Sequence, residues 1–345
     1  MLMDAPEYIS IKGFESCTTS MLPKGSVLVT SRAPIGNIAI AGRNLCTNQG
    51  FKSLVPGEKV DGLYLYYCMS AYSERLQALG NGATFKEVSK RIVDDFEIPL
   101  PPLTEQKRIA AILDKADTIR RKRQQAIQLA DDFLRAVFLD MFGDPVNNSK
   151  GFPIGTIRDL VETANYGTSA KASEVGGEYP ILRMGNITYG GALDLKDLKY
   201  VNLKEKDKPK YLVTKGDLLF NRTNSKELVG KTAVYDREKP MALAGYLIRI
   251  RPNAKGNNYY ISGYLNSAHG KATLQNICKS IVGMANINAQ EMQDIPILIP
   301  PRELQDNFER IFEITKARLI KHKVSCESLS ELFNALSQKA FEGTL

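Results

Sequence analysis

The stretch "FEIPLPPLTEQKRI" (residues 96–109) returns in altered form as "IPILIPPRELQDNF" (295–308), and this pair decides how the chain folds. Setting Pro101-Pro102 on Pro300-Pro301 brings Gln106 onto Gln305, a shift of 199 residues. Ahead of each double proline lies a short strand-like apolar run, Ile98–Leu100 and Ile295–Ile299. Proline cannot donate to a strand ladder but is tolerated at a helix start, so each pair stops a strand and presets a helix. Thr104 is the expected N-cap, with Glu105 in the first turn, where the helix dipole favours negative charge.

The first helix is expected to run to about Phe142, where Gly143 and Pro145 supply a stop. Its seam, at alternating steps of three and four, is Ile109, Ile112, Ala116, Ile119, Arg123, Ala126, Ala130, Phe133, Val137 and Asp140. The second helix repeats the pattern at Phe308, Phe312, Thr315, Leu319, His322, Cys326, Leu329, Phe333, Leu336 and Ala340. A spacing near 3.5 sustained this long predicts two helices packed as a coiled coil, each roughly 55–60 Å long at ~1.5 Å per residue.

The repeat extends upstream. "PKGSVLVTSRAPIGNIAI" (23–40) matches "TKGDLLFNRTNSKELVGKTAV" (214–234), with Lys24-Gly25 on Lys215-Gly216, Val27-Leu28-Val29 on Leu218-Leu219-Phe220, and Gly36 on Gly230. "QGFKSLVP" (49–56) matches "AGYLIRIRP" (244–252). The expected architecture is therefore α+β, with two copies of a mixed, β-rich domain, each followed by a long helix. The expected boundaries are 1–102 for the first domain, 103–147 for its helix, 152–301 for the second domain and 302–345 for the second helix. Residues from Phe152 to about Leu198 have no counterpart ahead of Met1. Either the chain begins late, or its first domain has lost an opening strand and loop, so that domain is expected to be N-terminally truncated.

Composition sets wider bounds. At 345 residues, 43% hydrophobic and 24% charged, the chain can bury a sizeable core and exceeds one folding unit. A net charge of +8 favours an acidic partner such as nucleic acid or an anionic surface. The cysteines (Cys17, Cys46, Cys68, Cys278, Cys326) are scattered, with no CxxC pair, so neither a disulfide framework nor a zinc site is indicated. No basic-then-apolar leader pattern occurs, and no run approaches the ~18 apolar residues of a membrane span. A cytoplasmic protein with no membrane partner is the expectation.

"FNRTNSKELVGKTAVY" (220–235) ends like a phosphate-binding loop, but Ser225 stands where the first glycine is required. A β-like segment, "AVYDREKP", follows instead of a helix, and the first copy has Asn37 in place of Lys231. The stretch reads as strand–loop–strand. No NPP[YFW] signature of amino-methylating enzymes occurs, and "DLKDLK" (194–199) has no well-placed upstream acid. His269 and His322 lack nearby partners for a triad or a metal. No catalytic, cofactor or metal site is expected.

The loops suit binding better. "NRTNSKE" brings together Asn221, Arg222, Thr223, Asn224 and Ser225, side chains that donate and accept on base edges and phosphates. Arg183, Asn186 and Thr188 stand beside glycines in "YPILRMGNITYGG", Ser169 and Lys171 lie in "YGTSAKASE", and Lys231 closes the first loop. The first copy offers Thr30, Ser31, Arg32 and Asn37 in "TSRAPIGN", then Asn48 and Gln49 in "CTNQGF". The plainer reading is that such residues merely solvate loops, but loops of this kind recur at matching places in both copies. Arg120-Arg121-Lys122-Arg123, mid-helix, is either a solvated face or a contact for phosphate or an acidic subunit.

The domain–helix–domain–helix order, "PLPPLTEQKRIAAILDKAD" and "YPILRMGNI…KGDLLFNRTNS…GKTAVY…NINAQEMQDIPILIPP" resemble the specificity (S) subunit of type I restriction–modification systems over essentially the whole chain. The PP-x-x-EQ helix start is the most specific element, and the second copy departs from it with Glu303-Leu304-Gln305. The resemblance implies two target-recognition domains, each reading half of a split site on double-stranded DNA, and two helices packed antiparallel as a spacer. It also implies a subunit without catalytic groups. Methyltransferase (modification) subunits would bring S-adenosylmethionine, and a restriction/translocase subunit would bring ATP hydrolysis. The expectation is an intact reader at 152–301 and a reduced one at 1–100. The alternative is an assembly scaffold or half-type subunit.

Overall fold

The structure, a computed structural model, describes residues 1–5, 7–82, 86–281 and 284–345, apart from the side chains at 280, 281, 323, 324 and 327. Both long helices form after the double prolines, at Leu103–Phe142 and Arg302–Phe341, forty residues each. The first begins directly after Pro102, whose carbonyl accepts from the Glu105 and Gln106 amides. Thr104 thus lies inside the first turn and does not cap it, because the proline's fixed φ already starts the helix. Gly143 ends the helix at φ +74°, the left-handed conformation glycine adopts without strain. No helix among the described residues is long and apolar enough to cross a membrane.

The chain divides into two compact units, residues 1–126 with 321–345, and residues 127–320. Each unit holds the start of one long helix and the end of the other. In the first unit Ile109, Ala110 and Leu113 share a buried cluster with Ala340 and Phe341. In the second, Phe138 and Phe142 meet Phe308 with ring centroids 5.3 and 5.7 Å apart. Start lies beside end in both units, so the helices pair antiparallel.

The second helix buries or half-buries the expected seam from Phe308 to Ala340. The first helix is turned differently. Ile119 and Phe133 are 41% and 51% exposed, and Asp140 is also exposed, whereas Gln106, Ala110, Asp117 and Phe138 are buried. Apolar residues fall on neighbouring positions here (Ile109-Ala110, Ile112-Leu113, Val137-Phe138), so spacing alone did not fix the phase. Burying Asp117 requires countercharge. Arg120 Nη2 lies 2.6 Å from its Oδ1, Arg121 Nε 3.0 Å from its Oδ2, and the Arg120 guanidinium sits 4.9 Å from the Phe333 ring centroid. Arg123 reaches His322 Nδ1 at 3.4 Å. Three members of the basic run therefore already have partners within the first unit, and Lys122 remains exposed.

The first unit's globular part is an antiparallel hairpin, Val27–Val29 with Ile38–Ile40, covered by helices Gly62–Ala71, Ser73–Ala78 and Lys90–Asp94. The second unit contains two four-stranded sheets. One is antiparallel, in the order Thr232–Val234, Leu218–Asn221, Leu247–Pro252, Val161–Tyr166. The other runs Lys199–Val201, Tyr179–Leu182, Met241–Leu243, Leu212–Val213, with its central pair parallel. Leu219, Ala233 and Leu247 form a core with Leu182, Val213 and Leu243 of the second sheet. Their neighbours Leu218, Phe220, Ile248 and Ile250 turn the other way, onto helices Asn258–Asn266 and Ala268–Ile277. Burial on both faces is why "LLF" is continuously apolar, and the one charged residue of "LIRI", Arg249, is 3% exposed and donates to the Pro209 and Leu212 carbonyls.

The repeat survives in hydrogen bonds. Val27 bridges Leu54 as Leu218 pairs with Ile250, and Gly25 and Gly216 share φ values of +91° and +90°. Among its described residues, the first unit has no counterpart of strand Val161–Tyr166 or of the second sheet. Strand content is accordingly concentrated in the second copy.

Gly263 lies mid-helix, where a Cβ would fall 2.6 Å from the Phe138 ring. That ring is held by Phe142, Tyr260 and Phe308 and cannot retreat. Gly263→Ala is therefore expected to destabilise the protein by about 1–3 kcal/mol in urea unfolding, although alanine is the better helix former by about 1 kcal/mol.

Candidate nucleic-acid interface

Several loops of the second unit converge at one end of its two sheets. Gly167 makes this approach feasible, because a Cβ there would lie 2.2 Å from the Leu243 carbonyl. Thr168 N donates to Leu243 O at 2.7 Å and Gly245 N to Thr168 O at 2.9 Å, joining loop 168–172 to turn 244–246. Strand Met284–Asn286 pairs with Thr223–Asn224 and brings a distant segment to the same place. Lys231 Nζ donates to Met184 O at 2.9 Å, tying segment 183–186 to the hairpin loop, and burial lowers the pKa of this lysine.

These segments surround a cleft of about 890 Å³. Its walls include Ser169, Arg183, Arg222, Thr223, Tyr246 and Asn286, with Asp194, Lys196 and Asp197 at one side. The Arg222 guanidinium lies over the Tyr166 ring, 4.9 Å from its centroid, and its Nη2 reaches Asn286 Oδ1 at 3.3 Å. The Tyr166 hydroxyl accepts from Ala289 N at 2.9 Å, which fixes the ring beneath the arginine. Asn286 Nδ2 donates to Thr223 Oγ1 at 3.1 Å. Arg183 Nη2 bonds Asp197 Oδ2 at 3.0 Å, but that carboxylate is 87% exposed, so the pair is open to competition from water or an anion. The buried Nε atoms of both Arg183 and Arg222 have no hydrogen-bond partner. A guanidinium held over a ring, as Arg222 is, and one whose carboxylate partner is exposed, as Arg183 is, can bind phosphate oxygens or base edges in two-point fashion.

The sequence-derived candidates separate into three groups. Arg183, Arg222 and Thr223 line the cleft, while Lys171, between the lining residues Ala170 and Ala172, is exposed and makes no hydrogen bond or ion pair among the described residues. Asn224 and Ser225 are half-buried in the hairpin loop, where the Asn224 side chain accepts from Ser225 N at 2.9 Å.

The remaining candidates of this unit turn inward in this structure. Asn186, although it borders the cleft, is 4% exposed and holds Arg183 N, Asp194 O and Asp197 O. Asn221 is fully buried and accepts from Thr223 N, and Lys231 spends its ammonium on the Met184 carbonyl. Asn186 and Lys231 tie one loop to another and Asn221 braces its own turn, demands that sequence alone does not distinguish from ligand contact.

In the first unit Arg32, Asn37, Asn48 and Gln49 are exposed at the matching end of the hairpin, and Asn48 Oδ1 accepts from Gly50 N at 3.0 Å. Tyr166, Tyr246 and Asn286 were not anticipated. Tyr166 precedes Gly167 in "NYGTS", an aromatic–glycine pair leading into a polar loop, which was the one local signal available.

Residues 4–129 and 150–324 each match the type I restriction modification DNA specificity domain, in agreement with the internal repeat. The chain is 26% identical over 360 residues to the type I restriction enzyme MjaIX specificity subunit of Methanocaldococcus jannaschii, covering 98% of this chain and 81% of that one. It is also 26% identical over 326 residues to the EcoKI specificity subunit of Escherichia coli K12, covering 87% and 69%. In fold it is similar to the crystal structure of the type I restriction–modification S subunit from M. genitalium, with a TM-score of 0.61 at 18% identity over 93% of this chain and 84% of that one. Two copies of one domain spanning most of the sequence, on a fold shared with an S subunit, place this chain in the type I restriction–modification DNA specificity family.

Proposed function

We propose that the chain recognises a two-part site on double-stranded DNA and directs methyltransferase and restriction/translocase subunits to it without performing the chemistry itself. The observation that carries this reading is the cleft of the second unit, where Arg222 is stacked on Tyr166 and hydrogen-bonded to Asn286. In this reading residues 152–301 form the complete reader of one half-site. Residues 1–102 form the reader of the other half, using Arg32, Asn37, Asn48 and Gln49. Arg222 and Arg183 contact bases or the phosphates that fix register, and Lys171 contributes charge.

The net charge of +8 supports attraction to the duplex at long range. Support for docked partner subunits comes from the first long helix, where Leu129 and Phe133, one turn apart on the same face, are 58% and 51% exposed. Residues 220–235 act as a structural hairpin in this reading, since Lys231 is already bonded to a backbone carbonyl.

Selection from a randomised duplex pool, with the chain co-purified with its modification subunit, tests the proposal. Enrichment of a two-part motif is expected. Enrichment of one half would restrict reading to the second domain, and binding that only fades with salt would leave a scaffold. Arg222→Ala is expected to cost about 1–3 kcal/mol on the selected site and to relax preference at one or two positions. Lys171→Ala should weaken all sequences alike and lower the salt slope by about one. Lys231→Met is expected to lower stability by about 1 kcal/mol, seen in urea unfolding, while the selected motif stays the same.

A further inference from the structure

The PP-x-x-EQ motif contains two polar residues, and only one is kept in both copies. Glu105 gives way to Leu304, whereas Gln106 recurs as Gln305. Glu105 lies at the surface and pairs with Arg108, one turn further along the same helix. The glutamines are 1% and 0% exposed, although a polar side chain at a helix start would ordinarily face water.

Each buried amide makes the same three bonds. Gln106 Oε1 accepts from Asp61 N at 2.9 Å, and its Nε2 donates to Lys59 O at 3.0 Å and Pro101 O at 2.8 Å. Gln305 Oε1 accepts from Asn257 N at 2.9 Å, and its Nε2 donates to Lys255 O at 3.0 Å and Pro300 O at 2.8 Å. Asp61 and Asn257 are the N-cap residues of equivalent short helices, Gly62–Ala71 and Asn258–Asn266. Three residues past each cap a buried tyrosine adds a fourth tie. Tyr64 Oη donates to Pro99 O at 2.9 Å and Tyr260 Oη to Leu298 O at 2.8 Å, in each case two residues before the double proline.

One carbon thus carries an acceptor and two donors that join three pieces of chain: the cap of a short helix with the loop just before it, the first proline of the pair, and the first turn of the long helix. A joint held at several separate points resists rotation that a single bond would allow. Only a primary amide supplies this set, since a carboxylate has no donor and an ammonium no acceptor.

We propose that Gln106 and Gln305 are positioning residues that lock each reading domain to the start of its own long helix, so that the direction in which the domain presents its loops is fixed. This inference rests on the proposed reading of a two-part site. Under that reading the lock governs tolerance to the spacing between half-sites, and the bases within each half are chosen elsewhere.

The test uses the full chain carrying Gln106→Glu or Gln305→Glu, which keep size and acceptor but turn a carboxylate toward two carbonyls. Binding is measured to the selected duplex, to the same halves with spacing changed by one base pair, and to a site with one base substituted inside a half. The unaltered chain should prefer its own spacing at least about tenfold, and the variants should fall to within about threefold, while the penalty for the substituted base persists. A merely structural loss would lower both penalties together or reduce only the folded fraction. Should either variant fail to fold, Tyr64→Phe and Tyr260→Phe remove one bond each without changing shape and should relax spacing to an intermediate degree.

Spin labels at Lys210 and Arg310, both within the second unit, give a readout that does not involve DNA. Their distance distribution should broaden in Gln305→Glu. Folded variants with unchanged spacing preference and a narrow distance distribution would overturn the lock. If the unaltered chain selects no two-part site yet the distribution broadens, the reading function fails and the lock stands.

Discussion

Neither globular domain completes its own core. The aromatic cluster beneath the second domain's sheet includes Phe138 and Phe142, which belong to the helix following the first domain, and Phe138 stacks on Tyr260 at 5.8 Å and 14°. The first domain likewise depends on Ala340 and Phe341 from the far end of the chain, with Phe341 edge-on to Tyr64 at 5.6 Å. Burying each such ring contributes about 1.5–3 kcal/mol, and the same burial joins residues more than one hundred positions apart. The double prolines, the length of the helices and their antiparallel pairing all serve this exchange. A helix stopped a turn early would leave a hole in a domain it does not follow. Because these contacts are so distant in sequence, the cores are expected to close late in folding.

The cleft of the second unit rests on polar side chains that never reach it freely. Asn186 clasps Arg183 N and two carbonyls of the following loop, Lys231 holds the Met184 carbonyl, and Asn221 sits inside the turn of the hairpin. Fixing loops in this way before a ligand arrives reduces the ordering cost of binding. It also leaves Arg222 and Arg183 among the cationic side chains that line the wall.

The features legible in the sequence were those with a local chemical cause. Proline pairs, left-handed glycines and a long apolar period each act within a few residues, so both helices and the duplication could be read directly. The phase of the first helix could not, because Asp117 is buried only by virtue of Arg120, Arg121 and the Phe333 ring, and no spacing rule anticipates an acid on a seam. The loops pose the same problem more sharply. Arg222 and Lys231 are both cations in one hairpin, yet one faces the cleft and the other a carbonyl, a difference decided by segment 183–186 some forty residues away. Asn286 was overlooked because strand pairing, and nothing in its neighbourhood, carries it to Thr223.

The hairpin that bears the candidate reading loop closes identically in both copies, Gly36 N on Thr30 O at 2.9 Å and Gly230 N on Asn221 O at 2.8 Å. Between those closures lie five residues in one copy, 31–35, and eight in the other, 222–229. Lengthening a closed loop is cheap, about 0.6 kcal/mol per doubling, and the strands on either side retain their ladder. The scaffold therefore separates two kinds of inheritance. Residues in the ladder cannot drift without loss of the sheet, whereas the loop can gain, lose or exchange residues and still begin and end at the same two bonds. A lineage built on this fold can acquire a new vocabulary in its loops while keeping its grammar.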